Sequence, residues 1–371
     1  MLKELLDTTG KKKTINKEDN YDIVVFCHLR WDFVYQRPQH IISRLAANQR
    51  VLFVEEPVGI HSLKTSELRK VDDNLTILQP QVNSIADIPA VLEKYMPSMS
   101  AQIGWFYSPA FVPLLGACTF NKVVYDCMDE LSLFRGASSE ITYQENALME
   151  RADAVFTGGK LLFESKRKQH SNVFCFPSSV DSHHFEKALN GIEIPSDMNL
   201  PGPIIGYYGV LDERIDFKLL DEAARLMPWA SFVMVGPTAK ISEAEMSAQS
   251  NIHYMGIRPY AQLPNYLKAF DIAMMPFAIN DATRYISPTK TLEYMAANKP
   301  IISTPVFDVV RDYGRCISIV NTAEEFCAKA KEITEANDWE KKVRNNHYQN
   351  ILTQTSWDKT VDKMKSIIQN L

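Results

Sequence analysis

The chain has 371 residues, which is long for one hydrophobic core and favours two domains. Its net charge of −5 gives no overall attraction to nucleic acid, so any anion-binding site has to be built locally. Its hydrophobic fraction of 46% is typical of a folded globular protein and not of a disordered one. We therefore expect a globular protein that does not bind nucleic acid.

The cysteines and the N-terminus indicate the compartment. The six cysteines include no Cys-x-x-Cys pair, and several stand in apolar runs, so we expect them to be reduced. Residues 1–20 are polar and carry lysines, which predicts a mobile tail and not a signal peptide. We expect a cytoplasmic protein. A peripheral contact at the inner face of the membrane stays open, with Lys166-Arg167-Lys168 as its best candidate, although a solvated helix face is the better interpretation of that run.

The first half of the chain alternates short apolar runs with helical patterns, which indicates βα units and a parallel sheet. The clearest helices are 38–48 and 143–151. We assign residues 21–194 to an N-terminal domain. Its predicted strands are 23–27, 51–54, 75–78, 103–107, 122–125, 154–157 and 173–176.

The pattern restarts after residues 195–203, a stretch with three prolines and no periodicity that we interpret as a linker. We assign residues 195–355 to a C-terminal domain and 356–371 to a closing helix. The predicted strands are 204–208, 231–235, 252–254, 272–275, 301–303 and 317–319, and helices are predicted at 217–227, 263–270, 289–298, 323–337, 339–352 and 356–371. The expected fold is α/β, with two tandem Rossmann-like doubly wound domains facing an interdomain cleft.

One helix start in the second domain has the features of an anion site. Ser287 is a plausible N-cap and Pro288 suits the first helical position. Lys290 then opposes the positive end of the helix dipole, a local cost of about 0.3–1 kcal/mol. A diphosphate bound to the backbone N–H groups of Ser287, Thr289 and Lys290 would make the lysine favourable. Arg284 could add a cation, and Glu293 could accept hydrogen bonds from a ribose diol. The competing interpretation is an exposed Lys–Glu pair on a surface helix.

Three further strand ends predict contacts with the same ligand. Tyr208 and Gly209 end one strand and are followed by Arg214, whose guanidinium suits a phosphate. Gly236 ends the next strand, and Arg258 follows the one after. These residues would meet at the ligand edge of a parallel sheet, although each alone could be an ordinary turn.

Taken in order along the chain, these motifs resemble the GT-B glycosyltransferases, in particular the family 4-type bacterial enzymes of cell-envelope polysaccharide synthesis, the teichuronic acid type among them. The resemblance implies that the N-terminal domain binds the acceptor, the C-terminal domain binds a sugar nucleotide, and the last helix crosses back to the N-terminal domain. The matching stretches are Trp31–His40, Tyr125–Glu130, Gly206–Gly209 with Asp212–Arg214, Gly256–Tyr260 and Ser287–Pro300.

The resemblance also implies residue roles. Glu293 matches the ribose-binding second glutamate of the family's E-x7-E motif, and Arg214 and Lys290 would neutralise the diphosphate leaving group. The chain contains no Asp-x-Asp, which fits a site without a metal. The expected activity is transfer of a sugar, without a cofactor, from a nucleotide-diphosphate sugar to a saccharide or lipid-linked acceptor.

The chain departs from the family's pattern in two places. Tyr285 stands where the first glutamate of the motif would be, and the N-terminal domain has no obvious match to the family's active-site histidine. We expect Asp129, and after it His28, to fill an acid/base or orienting role. Asp129 could instead cap a helix, and His28 could simply hydrogen-bond its loop. Asp181 matches the family's interdomain motif only in part, and a structural turn is the better interpretation.

Two other functions remain open at this point. One is a GT-B-fold epimerase acting on the nucleotide sugar itself. The other is a non-catalytic nucleotide-sugar-binding protein, which the substitution at Tyr285 makes conceivable. A nicotinamide dehydrogenase is disfavoured, because no Gly-x-Gly-x-x-Gly follows a predicted strand.

Overall fold

The computed structural model of the chain describes residues 21–59 and 66–371. The tail expected at residues 1–20 lies outside the described residues. The described chain forms two sheets, one from each half of the sequence, and both are flanked by helices. In the described part of the chain, no helix has the length and apolar character needed to cross a membrane.

The N-terminal sheet, as far as the chain is described, has eight strands in the order β3-β4-β2-β1-β5-β6-β7-β8. Neighbouring strands are parallel, except that the edge strand β3 runs antiparallel to β4. The central strands are buried on both faces, which explains their continuous apolar sequences. The strands are β1 (Ile23–Cys27), β2 (Val51–Glu55), β3 (Glu67–Lys70), β4 (Leu75–Gln79), β5 (Ser100–Phe106), β6 (Thr119–Cys127), β7 (Ala154–Thr157) and β8 (Val173–Cys175).

Several α-helices accompany this sheet. They are α1 (Arg37–Ala46), α2 (Ile88–Tyr95), α3 (Ile141–Arg151), α4 (Lys160–Lys166) and α5 (Ser182–Phe185). Helix α1 has proline in its first turn and a capping box, in which the Gln36 N–H donates to Oε1 of Gln39 at 2.9 Å. Asp181 caps α5 by accepting from the His184 N–H at 3.3 Å, so its turn role is the structural one that the sequence favoured.

The C-terminal sheet has six strands in the order β11-β10-β9-β12-β13-β14, and all neighbours are parallel. The strands are β9 (Ile204–Tyr208), β10 (Ser231–Val235), β11 (Ile252–Gly256), β12 (Ile272–Met275), β13 (Ile301–Ser303) and β14 (Ser318–Ile319). The helices are α6 (Phe217–Leu226), α7 (Leu263–Ala269), α8 (Lys290–Ala296), α9 (Phe307–Tyr313), α10 (Ala323–Thr334), α11 (Asp338–Leu352) and α12 (Trp357–Gln369).

Helix α12 packs against α1 of the first domain. Its buried face, which includes Trp357, joins the core of the N-terminal sheet. The Trp357 ring stacks on His40 with centroids 4.8 Å apart, and Arg44 pairs with Asp358 at 2.7 Å. Helix α12 therefore connects the two domains.

A second contact between the domains joins α4 to α9. Oδ2 of Asp308 accepts hydrogen bonds from the N–H groups of Lys160 at 2.7 Å and Leu161 at 3.2 Å, which caps the start of α4 from the other domain. Arg311 also pairs with Glu164 at 2.7 Å. These contacts fix one side of the interdomain cleft.

This part of the fold differs from the sequence expectations at two points. The edge strand β3 was missed, because its residues are mostly exposed and polar and show no apolar alternation. In the run 166–168, Arg167 and Lys168 are exposed as expected, but Lys166 is not. The Lys166 side chain is 2% exposed, and its ammonium pairs with Glu130 at 2.8 Å and Glu145 at 2.6 Å. All six cysteines are free.

Candidate functional site

A cavity of about 490 Å³ lies between the two domains. The residues around it follow the carboxyl ends of strands in both sheets, where doubly wound folds bind ligands. The N-terminal domain contributes Trp31–Arg37, Met128, Asp129, Gly158 and Ser178; the C-terminal domain contributes Tyr207–Val210, Arg214, Val235–Pro237, Ile257–Tyr260, Leu263, Phe277, Ile286–Lys290 and Glu293.

The segment that opens α8 forms part of the cavity wall, but its cap differs from the prediction. The helix begins at Lys290, its N-cap is Thr289 in helical conformation, and no side chain caps it. Ser287 does not cap the helix; its carbonyl accepts a hydrogen bond from Ser178 of the other domain. Because α8 has only seven residues, cationic side chains and not a long helix dipole must supply most of the positive charge here.

In the cavity wall, the end of the Lys290 side chain lies next to Gly209, the glycine that follows β9. Its ammonium lies 5.5 Å from the centroid of the Tyr207 ring. Gly209 has φ +143° and Gly236 has φ +146°, and a Cβ on Gly209 would overlap the end of the Lys290 side chain. A Cβ on Gly236 would overlap the carbonyl of Gly209. Gly236 is therefore required for the two loops to approach this closely, and the positive φ of Gly209 favours glycine beside the flexible end of Lys290.

Glu293 is 6% exposed, so the interpretation of an exposed Lys–Glu pair is wrong. Its Oε2 accepts a hydrogen bond from the Tyr208 hydroxyl at 2.8 Å. Burial raises the pKa of the Glu293 carboxyl, while Lys290 and the Tyr208 hydrogen bond act in the opposite direction. Burial also lowers the pKa of Lys290, and the charge of Glu293 opposes that effect. A buried carboxylate at a cavity wall is suited to hydroxyl groups of a ligand.

Arg214 lies on the same wall. Its Nε and Nη2 donate to the carboxylate of Asp212 at 2.9 Å and 2.7 Å, and this fork fixes the orientation of the guanidinium. Burial alone would lower the pKa of Arg214, but the hydrogen bonds and charge of Asp212 raise it overall. The side chain is 23% exposed, so the cation is held in place and still reaches the cavity.

Asp129 follows β6 and faces this cluster from the N-terminal domain. Burial raises the pKa of its carboxyl, and Arg214 and Arg37 lower it. The loop that carries Asp129 is anchored by Lys166, which pairs with its neighbour Glu130. The structure thus brings together an N-terminal carboxylate and C-terminal cations that are far apart in sequence.

Arg37 is a wall residue that sequence reasoning did not single out. It is 5% exposed, its Nη2 lies 2.9 Å from Oδ1 of Asp126, and its Nη1 donates to the carbonyl of Phe176 at 2.6 Å. Burial raises the pKa of Asp126, and the adjacent Arg37 lowers it. Arg37 and Asp126 both lie within stretches that resemble the GT-B glycosyltransferases. That resemblance was the only signal in the sequence that could have indicated them.

The remaining predicted residues divide into two groups. Tyr208, Ser287, Pro288, Thr289 and Arg258 line the cavity, and Arg258 is held by Asp197 at 3.0 Å. His28 and Arg284 do not contribute to its wall: Arg284 is exposed, and His28 has a buried Nδ1 without a hydrogen-bond partner among the described residues. Burial lowers the pKa of His28 to about 4.

Tyr285, which stands at the position of the family's first glutamate, also lies away from the cavity. Its side chain packs against the core of the N-terminal domain, and its ring lies 5.5 Å from the guanidinium carbon of Arg284. Among the residues that the structure describes, no acidic group replaces the first glutamate at this point of the wall.

An aromatic cluster joins the two domains beside the cavity. Tyr35 of the N-terminal domain stacks on Tyr260 of the C-terminal domain with centroids 4.4 Å apart. His184 stacks on the opposite side of Tyr260 at 4.2 Å. Phe33, on the same loop as Tyr35, keeps 38% of its surface exposed. The exposed part of the Phe33 ring therefore offers apolar surface to a ligand of the cavity.

Comparison of the whole architecture with solved structures shows the GT-B fold of glycosyltransferases. Sucrose-phosphate synthase from Thermosynechococcus elongatus matches with a TM-score of 0.71 and 12% identity, covering 94% of this chain and 98% of that chain. An E. coli structure described as trehalose-6-phosphate bound with UDP-2-fluoro glucose matches with a TM-score of 0.69 and 11% identity, covering 94% and 99%. At such identities the likeness shows the fold alone.

The sequence comparisons concern parts of the chain. Residues 202–336, which contain β9 to α10, match the family Glycosyl transferases group 1. A protein of Bacillus subtilis (strain 168) with the description "Putative teichuronic acid biosynthesis glycosyltransferase TuaH" is 26% identical over 218 residues. That match covers 54% of this chain and 54% of the relative, so the chain spans about half the length of the relative.

Proposed function

We propose that the protein transfers a sugar from a nucleotide-diphosphate sugar to a saccharide or lipid-linked acceptor in the synthesis of a cell-envelope polysaccharide. The observation that carries this proposal is the convergence of Arg214, Lys290 and Glu293 on one wall of the interdomain cavity. The group 1 match at residues 202–336 and the relative in teichuronic acid biosynthesis support the reaction class and the biological role.

In this proposal the C-terminal wall binds the donor. Glu293, oriented by Tyr208, accepts hydrogen bonds from the ribose hydroxyls. Lys290 and Arg214 bind the diphosphate and stabilise the negative charge that grows on it as the glycosidic bond breaks. Two cations fixed by the fold can do this without reorganising at the moment of reaction. We infer that the site works without a metal, which the absence of an Asp-x-Asp in the sequence favours.

The N-terminal wall would then hold the acceptor. Asp129 faces the two cations across the cavity, and burial raises the pKa of its carboxyl. A carboxylate with a raised pKa is a better base, so we assign Asp129 to accepting the proton of the attacking acceptor hydroxyl. The exposed ring of Phe33 and the half-buried Tyr35 would provide apolar surface for the acceptor sugar.

The deciding experiment incubates the protein with UDP- and GDP-sugars, with and without a cell-envelope glycan fraction, and measures the free nucleoside diphosphate. The proposal predicts that the diphosphate is released in proportion to glycan added. Chelation with EDTA should leave the rate unchanged. Arg214→Met and Lys290→Ala should reduce release by roughly 100-fold or more, the size seen when a charge-stabilising group is lost.

Other outcomes identify the rival functions. An altered free nucleotide sugar that forms without acceptor and without diphosphate release would show an epimerase. Tight nucleotide-sugar binding with neither product would show a binding protein that lacks turnover. Either outcome would contradict the transfer reaction and still leave the donor site in place.

A further inference from the structure

The loop that follows β6, residues 129–136, crosses from the N-terminal to the C-terminal domain. Near its tip, the Phe134 ring contacts two cations of the other domain. The guanidinium carbon of Arg214 lies 5.5 Å from the ring centroid, and the ammonium of Lys240 lies 5.6 Å from it. Distances below about 6 Å are those of favourable cation–π contacts. Phe134 is therefore in direct contact with one of the proposed leaving-group cations.

The next residue fastens the loop in this position. The backbone N–H of Arg135 donates to Oε1 of Glu213 at 3.1 Å, and its guanidinium pairs with Oε1 of Glu245 at 2.9 Å. The Arg135 guanidinium also donates to the Lys240 carbonyl at 3.0 Å, and the Lys240 ammonium donates to the Arg135 carbonyl at 3.2 Å. These contacts lie at the surface, where each contributes little to stability, but together they fix where the neighbouring ring lies.

The guanidinium of Arg214 is consequently held from two directions. Asp212, from its own domain, binds its Nε and Nη2 edge, and Phe134, from the other domain, lies 5.5 Å from its carbon. Within the described residues, the Nη1 group of Arg214 donates no hydrogen bond, so it remains available to an anion in the cavity. An arginine restrained in this way loses less conformational entropy when it binds a phosphate.

We propose that Phe134 is a positioning residue, which holds Arg214 in the orientation that binds the donor diphosphate. The ring belongs to the N-terminal domain and the arginine to the C-terminal domain. The affinity for the diphosphate therefore depends on the contact between the two domains. The inference rests on the proposed donor site and deepens it. It concerns the diphosphate part of the ligand and not the nucleoside.

A purely structural role would give a different result. If Phe134 only packed the 129–136 loop, its loss would lower the melting temperature and affect all ligands of the cavity alike. If it orients Arg214, its loss weakens ligands with a diphosphate and leaves the nucleoside unchanged. The comparison of diphosphate with nucleoside affinity therefore separates the two roles.

The test uses the full chain and calorimetric titration with two probe pairs, UDP with uridine and GDP with guanosine. Phe134→Leu keeps an apolar side chain and removes the ring. We expect the affinity for the nucleoside diphosphate to fall by about 3- to 10-fold, which corresponds to the loss of one cation–π contact. The affinity for the matching nucleoside should stay unchanged. Phe134→Tyr keeps the ring and should restore wild-type affinity.

The matched control is Phe163→Leu. Phe163 has the same kind of contact, with the guanidinium carbon of Arg167 5.4 Å from its ring, but it lies outside the interdomain cavity. It should leave the affinity for nucleoside diphosphate at the wild-type value.

Unchanged diphosphate affinity in Phe134→Leu, or an equal loss for diphosphate and nucleoside, would overturn the positioning role and leave the donor site standing. A wild-type protein that binds neither UDP nor GDP would overturn the donor site and this inference together. If Phe134→Leu does not fold, Phe134→Met, which also keeps an apolar side chain and removes the ring, is measured in its place: a loss of affinity for the diphosphate alone would uphold the inference, and an equal loss for diphosphate and nucleoside, or no loss, would overturn it.

Discussion

The Tyr208 hydroxyl donates a hydrogen bond to Oε2 of Glu293 at 2.8 Å, and both side chains are buried in the wall of the interdomain cavity. The bond orients the carboxylate and uses part of its accepting capacity. Glu293 stands on α8 and Tyr208 ends β9, so the pair also fixes the helix relative to the sheet. The ribose position of the proposed donor therefore depends on a tyrosine as well as on the glutamate.

Tyr208→Phe tests that dependence. The substitution removes the hydroxyl and leaves the buried ring in place. We expect affinity for a nucleoside diphosphate to fall by roughly 3- to 10-fold, because one hydrogen bond that orients Glu293 is lost, while Glu293→Ala should cost more. Calorimetric titration of the two variants gives the comparison. Wild-type affinity in both would remove the pair from the donor site.

Gly209→Ala tests the close packing beneath Lys290. The added Cβ would overlap the end of the lysine side chain, and φ of +143° is strained for alanine. We expect a loss of about 1–3 kcal/mol in the free energy of unfolding and weaker diphosphate binding. Gly191→Ala is the control, because nothing lies within 4 Å of a Cβ there. Equal denaturation midpoints for the two variants would contradict the packing argument.

The pH–rate profile tests Asp129. As a base, its carboxyl must be ionised, so turnover is lost as the pH falls through its pKa. Burial raises that pKa, which places the loss at a higher pH than for an ordinary aspartate. Asp129→Asn should lower kcat by roughly 100-fold and abolish this acidic limb. If the pH–rate profile of Asp129→Asn retains the acidic limb of the wild-type protein, the group that titrates is not Asp129.

His28 makes a prediction about stability and not about turnover. Burial lowers its pKa from the ordinary value of 6.5 to about 4 in the folded protein, so the unfolded chain binds a proton at this histidine first as the pH falls. Stability is therefore lost between these two values. His28→Gln should reduce the drop in melting temperature between about pH 6.5 and about pH 4. Part of the drop should remain in this variant, because burial also lowers the pKa of His40. An unchanged drop would contradict the burial of His28.

Much of the fold follows from local sequence. Strands such as β9, β10, β12 and β13 have the bounds predicted from apolar runs, because strands buried on both faces need apolar residues at every position. Strand β3 was not predictable in this way. Its residues Glu67–Lys70 contact solvent, and only pairing with β4 makes them a strand.

The site was predictable only in part. Strand-end glycines and the cations at 214 and 290 are local signals, and the structure brings them to one cavity. The Arg37–Asp126 pair and the Phe134–Arg214 contact join residues at least 80 positions apart, and nothing in the local sequence specifies such partners. The start of α8 was misplaced because the backbone of Ser287 is engaged by Ser178, a contact between domains.

The most direct test of the donor site is calorimetric titration of wild-type and Lys290→Ala proteins with UDP, GDP and their nucleosides. The account predicts that the wild-type protein binds UDP or GDP. Lys290→Ala should lower the affinity for that diphosphate by about 10- to 100-fold and leave the affinity for its nucleoside unchanged. A wild-type protein that binds neither diphosphate, or a Lys290→Ala protein with wild-type diphosphate affinity, would contradict it.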